Sequence, residues 1–77
     1  MSLNRQLILG THIHRFTVVS SNQHGWDVFE EEDSTEVTSV HREDWHRVER
    51  DIQRFDLTAI ALKQAGWVEH DHARARS

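Results

Sequence analysis

Between Glu43 and Gly66 the apolar residues Trp45, Val48, Ile52, Phe55, Ala59 and Leu62 recur at intervals of three, four, three, four and three. That spacing traces one stripe along a 3.6-residue period and predicts a helix. Glu43 and Asp44 in its opening turn suit the positive end of the helix dipole, and Gly66 after Ala65 supplies a C-terminal stop. A helix from Glu43 to Ala65 spans about 35 Å, against about 23 Å for a strand of seven residues, so it is expected to overhang the sheet it packs on.

Ahead of the helix the period changes from 3.6 to 2. Ile13, Phe16, Thr17, Val18 and Val19 are β-branched or aromatic and predict a strand over Thr11 to Ser20, with His14, Phe16 and Val18 on one face. Ser21 to Gly25 make a polar turn of hairpin length. Trp26 to Glu32 alternate as a second strand, with Trp26 and Val28 on one face and Asp27 and Phe29 on the other. A turn at Glu31 to Thr35 returns the chain through Thr35 to His41 as a third strand, in which register decides whether Val37 or Val40 points inward. The expected fold is therefore α+β: a three-stranded antiparallel meander packed on one long C-terminal helix, β-β-β-α in two layers. Residues 1–10 are expected as a partly ordered N-terminal segment, 11–68 as the single α+β domain and 69–77 as a mobile tail. Within the first segment Leu7 to Leu9 could instead add a strand.

Length and composition narrow the class. A chain of 77 residues without an internal repeat has room for one domain that buries roughly 60–65% of its unfolded surface. The absence of cysteine removes disulfides, thiolate zinc sites and cysteine nucleophiles together. With no long apolar run and no signal-peptide pattern at the start, a cytoplasmic location without membrane contact is expected. The net charge of −4 is uneven. Residues 1–26 carry Arg5 and Arg15 and no acid, residues 27–36 carry only acids, and the rest balances. Protonating all seven histidines would move the formal charge from −4 to +3, so association is expected to change below about pH 6.

Arg15-Phe16-Thr17-Val18, Gly25-Trp26-Asp27-Val28 and Asp44-Trp45-His46-Arg47-Val48-Glu49-Arg50 resemble segments of a group of small uncharacterised bacterial proteins. The resemblance covers about half of the chain. It implies a compact strand-strand-strand-helix domain and brings no activity, cofactor or site residue.

Candidate chemistry is sparse. His12 and His14 stand two apart on a strand, and His70 and His72 stand two apart beside Glu69 and Asp71; they are weak candidates for a metal site, and no metal or other cofactor is expected. No Ser-His-Asp order, phosphate-cradling glycine loop or close carboxylate pair in an apolar context points to an enzyme. Glu30, Glu31, Glu32 and Asp33 form either a solvated strand end or an acidic docking surface. Arg42, Arg47, Arg50 and Arg54 are interleaved with Glu43, Glu49 and Asp51, and Arg47 can pair with Asp51 one turn on, so a self-neutralised solvent face is expected. Leu57, Ala59, Ile60, Ala61, Leu62 and Ala65 spread around the second half of the helix and leave a narrow polar strip. A segment apolar on all sides should be buried, so Leu57, Ile60, Ala61 and Leu62 are expected to form a homodimer interface, unless Leu3 and Leu7 to Leu9 cover them. The sequence thus points to a non-enzymatic protein-interaction module acting as a homodimer, with a nucleic-acid-binding regulator, using the helix arginines or the open sheet face, as the alternative.

Overall fold

The computed structural model describes residues 2–71. Its elements run β1 (Ser2–Leu9), β2 (His12–Ser20), β3 (Trp26–Glu32), β4 (Thr35–Arg42), α1 (Trp45–Gln64) and β5 (Val68–Asp71). The strands form one sheet in the order β4-β3-β2-β1-β5, with every neighbouring pair antiparallel. The α+β class holds and the three-strand meander is extended. Four strands precede the helix and a fifth follows it.

Both added strands come from segments expected to be loosely held. Leu7 is fully buried, because β1 pairs along its whole length with β2 and places Leu3 and Leu7 under the helix. Glu69 to Asp71, expected as the start of the tail, pair with Arg5 to Leu7 in β5. The backbone polar groups of an isolated segment gain little by ordering; here β1 finds partners in β2 on one side and β5 on the other, and β5 finds them in β1. Residues 72–77 of the expected tail lie outside the described residues.

The helix starts at Trp45, the first residue of its stripe, and so later than the expected start at Glu43. Asp44 is the N-cap, its side chain accepting from His46 N at 3.0 Å, so Glu43 and Asp44 stand just outside the first turn. At the far end Gly66 adopts φ +104° directly after the C-cap Ala65. With 20 residues in α1 and 9 in β2, helix and sheet are each about 30 Å long, and the expected overhang does not arise.

One face of the sheet packs on α1. Leu7, Phe16, Val18 and Val28 from the strands meet Val48, Phe55 and Ala59 from the helix, with Leu3, Trp26, Val40, Trp45, Ile52, Leu62 and Trp67 at the margin. Phe16 and Phe55 stack with centroids 4.6 Å apart, and Trp26 meets Trp45 edge-on at 5.0 Å. The register of β4 resolves the valine question: Val40 pairs with Val28 and packs on the core. Pairing shifts between Glu30↔Thr38 and Glu31↔Glu36, which makes Val37 the extra residue of a bulge, 54% exposed.

Two turns carry local constraints. Gly25 has φ +86°, and a Cβ there would lie 2.2 Å from the carbonyl oxygen of Arg42 and 2.8 Å from Cα of Glu43. The β3–β4 hairpin turns on Asp33 (φ 52°) and Ser34 (φ 68°), two consecutive left-handed residues. Gly25→Ala is expected to cost more than about 1 kcal/mol, because backbone rather than a side-chain tip blocks the methyl group. Ser34→Gly should gain about 0.5–1 kcal/mol, since Asp-Gly suits two left-handed turn positions. Urea denaturation of the two variants checks both signs.

Candidate functional site

The polar residues singled out in the sequence separate into three environments: the layer between helix and sheet, the outer helix face and the open sheet face. The first is the most structured. Glu30 and Asp51 are only 8% and 4% exposed. Asp51 accepts from Arg42 Nε at 3.0 Å and Nη2 at 3.2 Å, a bidentate pair that joins α1 to β4. Arg54 lies 3.6 Å from Asp51 and 3.5 Å from Glu30, and Glu30 Oε2 is 2.7 Å from His14 Nε2 on β2. His14 also stacks on Phe55, with centroids 5.8 Å apart. A chain of alternating basic and acidic side chains therefore crosses the layer as Arg42, Asp51, Arg54, Glu30 and His14.

A second cluster lies on the other side of Phe55. Arg5 sits over the Phe55 ring, 5.1 Å from its centroid, and bonds Glu69 of β5 through Nε at 2.5 Å and Nη2 at 3.0 Å, together with Asp56 of the helix. Lys63 Nζ is 2.8 Å from Glu69. Glu69 is held well below the ordinary carboxylate range, at about 2, chiefly by the bond from Arg5 and then by that from Lys63. The Arg5 guanidinium is raised in turn, chiefly by its bond to Glu69.

These clusters tie elements together, and every carboxylate in them already faces a cation. The four acids of the expected docking surface do not share a face. Glu30 points under the helix, Glu31 pairs with Arg15 on the open sheet face at 3.4 Å, Glu32 ends its strand exposed, and Asp33 caps the hairpin by accepting from Ile13 N at 2.9 Å. Nor does Asp51 neutralise Arg47 on the solvent side, because it is buried against Arg42. Both residues could have been placed from the pattern: Glu30 follows Trp26 and Val28 in the apolar phase of its strand, and Asp51 stands three after Val48 and four before Phe55.

His12 and His14 share the helix-facing side of β2, as expected, but each meets its own carboxylate, Asp33 at 3.0 Å and Glu30 at 2.7 Å. His70 pairs with Gln6 in register and falls on the opposite, open face; His72 lies outside the described residues. Among the described residues no group of three or more His, Asp or Glu is arranged to hold a metal ion.

On the outer helix face Leu57 is 69% exposed and Ile60 53%, with Ala61 exposed between the next turns. Leu62, read with them as an interface residue, turns the other way and packs on the core beside Phe55 and Ala59. It lies about 140° around the helix from Leu57, so the two do not line one surface. The open sheet face mixes Phe29 and Val19 with Asp27, Glu31, Arg15 and Gln6, and Arg15 donates to Gln6 Oε1 at 3.1 Å. A recess of about 20 Å³ lies there among Ile13, Arg15, Glu31 and Ser34, room for about one water.

A scan against protein families finds no match, and neither curated proteins nor solved structures give a significant match. Among the described residues no helix is long and apolar enough to cross a membrane.

The Glu69 cluster sets an acid limb. A carboxylate lowered from 4.5 to about 2 on folding contributes stability that is present above pH 4.5 and is lost as pH falls towards 2. Denaturation midpoints measured across that interval should drop steeply for the parent and less steeply for Glu69→Gln. His12 works in the opposite sense: Asp33 raises its imidazole, so that contribution is present below pH 6.5 and fades as pH rises through the raised value.

Proposed function

We propose that the chain is a non-enzymatic protein-interaction module that works in the cytoplasm as a homodimer, using the outer face of α1. The observation that carries this reading is the exposure of Leu57 and Ile60 on one side of a helix whose opposite side is fully engaged by the sheet. Two large aliphatic side chains one turn apart, with Ala61 beside them, form an apolar surface that association removes from water. The acid–base and ionic groups of the layer below are taken up in tying helix to sheet, which leaves them no substrate-facing role. No cofactor is needed for such a module.

A nucleic-acid-binding role ranks second. Of the four helix-region arginines, Arg42 and Arg54 face Asp51 and Glu30. Arg47 and Arg50 are exposed beside Glu49. The open sheet face sets Asp27 and Glu31 around Phe29, an arrangement poorly suited to a phosphate backbone. Fluorescence anisotropy with mixed DNA and RNA at low salt separates the two readings. Micromolar, salt-sensitive binding would reverse their order.

Ile60→Glu tests the leading reading, since a charge at a half-exposed site changes monomer stability by only about 0.5 kcal/mol. The parent is expected to show a concentration-dependent dimer mass by light scattering, and the variant a monomer mass with unchanged helix content by circular dichroism. A parent that stays monomeric to millimolar concentration, or a folded variant that dimerises like the parent, overturns it.

A further inference from the structure

The stripe that surrounds Leu57 and Ile60 reads the same in both directions. Gln53, Leu57, Ile60 and Gln64 follow one another at spacings of four, three and four, and all four are exposed on the side of α1 away from Val48, Phe55 and Ala59. Polar, aliphatic, aliphatic, polar at symmetric intervals suits an antiparallel isologous contact, because the two-fold axis then brings each position against one of like character from the same set. We infer that the partner is a second copy of this chain, docked antiparallel through α1, with Leu57 against Ile60 of the partner subunit and Gln53 against Gln64 of the partner subunit. This rests on the homodimer reading above and adds to it the direction and register of the two helices.

Charge selects the antiparallel arrangement. Arg50 lies almost on the line of Leu57, and Arg54 lies on its flank, 55% exposed. In a parallel pair related by a two-fold axis along the helices, Arg50 would face its own mate. In the antiparallel register the axis passes between Leu57 and Ile60, so Arg50 lies beyond the end of the partner's helix and Arg54 comes against its small residues near Ala61. Asp56 and Lys63 lie on the other flank, 51% and 50% exposed. An antiparallel two-fold keeps like flanks together and so sets Asp56, which Arg5 binds within the chain, near the partner's Lys63, the residue that meets Glu69 within its own chain. Matching side chains number only a handful, against roughly 20–30 residues a side in a standard interface, so the dimer is expected to dissociate on dilution.

The chain contains no cysteine, so introduced thiols report the register without interference. Two positions eleven residues apart on one helix are separated by about 16 Å, too far for an intrachain disulfide. Under mild oxidation Gln53→Cys/Gln64→Cys should convert most chains to a covalent dimer, and a mixture of the Gln53→Cys and Gln64→Cys chains should do the same. Either single variant alone should remain unlinked. Linking of a single variant with itself, or a dimer mass by light scattering without linking of the mixture, overturns the register and leaves the homodimer reading in place. A monomeric parent together with no linking removes both.

Discussion

The stack of Phe55 on Phe16 is the contact on which the two layers depend. One helix must cover a sheet of five strands, and among the described residues Leu7, Val18, Val28, Val48 and Ala59 are buried in one cluster with that pair. Without disulfides, a chain of this size holds its fold by this one shared interior. Phe55 also orders its surroundings, since His14 stacks against it and Arg5 lies over its ring. The ring thus separates the two ionic clusters and gives each an apolar wall.

Those clusters decide how the helix lies. A buried carboxylate with its cation removed costs about 3–5 kcal/mol, comparable to half or more of the stability of a small domain. Sliding α1 by one residue would take Asp51 from Arg42 and Arg54 from Glu30, leaving charges unpaired under the helix. The apolar contacts alone tolerate such a shift far better, because aliphatic packing lacks direction. The ionic pairs therefore select among placements that hydrophobic burial would leave close in energy. At the β5 edge, Arg5, Lys63 and Glu69 join the first strand, the end of the helix and the last strand, which closes the chain on itself.

Engagement of the inner layer determines what is left for a partner. The side chains that carry chemistry in the sequence are largely used in cohesion: His14 with Glu30, Arg42 with Asp51, Arg5 with Glu69. What remains outside includes a mixed open sheet face, a short aliphatic stripe on the helix, and single exposed aliphatics at Leu9, Val37 and Val68. Edge strand β4 is protected from pairing with other chains by the bulge at Val37, which twists its free backbone away.

Local pattern by itself determined the helix and its inward stripe, the three strands from His12 to Arg42 and the turns between them, because period and turn chemistry are properties of neighbouring residues. It also carried more than was taken from it: Glu30 and Asp51 sit in the apolar phase of their elements, and so does Arg5 between Leu3 and Leu7. Only the tertiary structure decided that Ser2 to Leu9 and Val68 to Asp71 are strands. Neither segment has enough alternation of its own: β1 is held between β2, its neighbour in sequence, and β5, and β5 forms against β1, which is distant in sequence. The same holds for the exposure of Leu57 and Ile60 against the burial of Leu62 and Ala59. Apolar residues spread around that half of the helix do not reveal which side turns inward, and the width and position of the sheet determine which side is covered from within the chain.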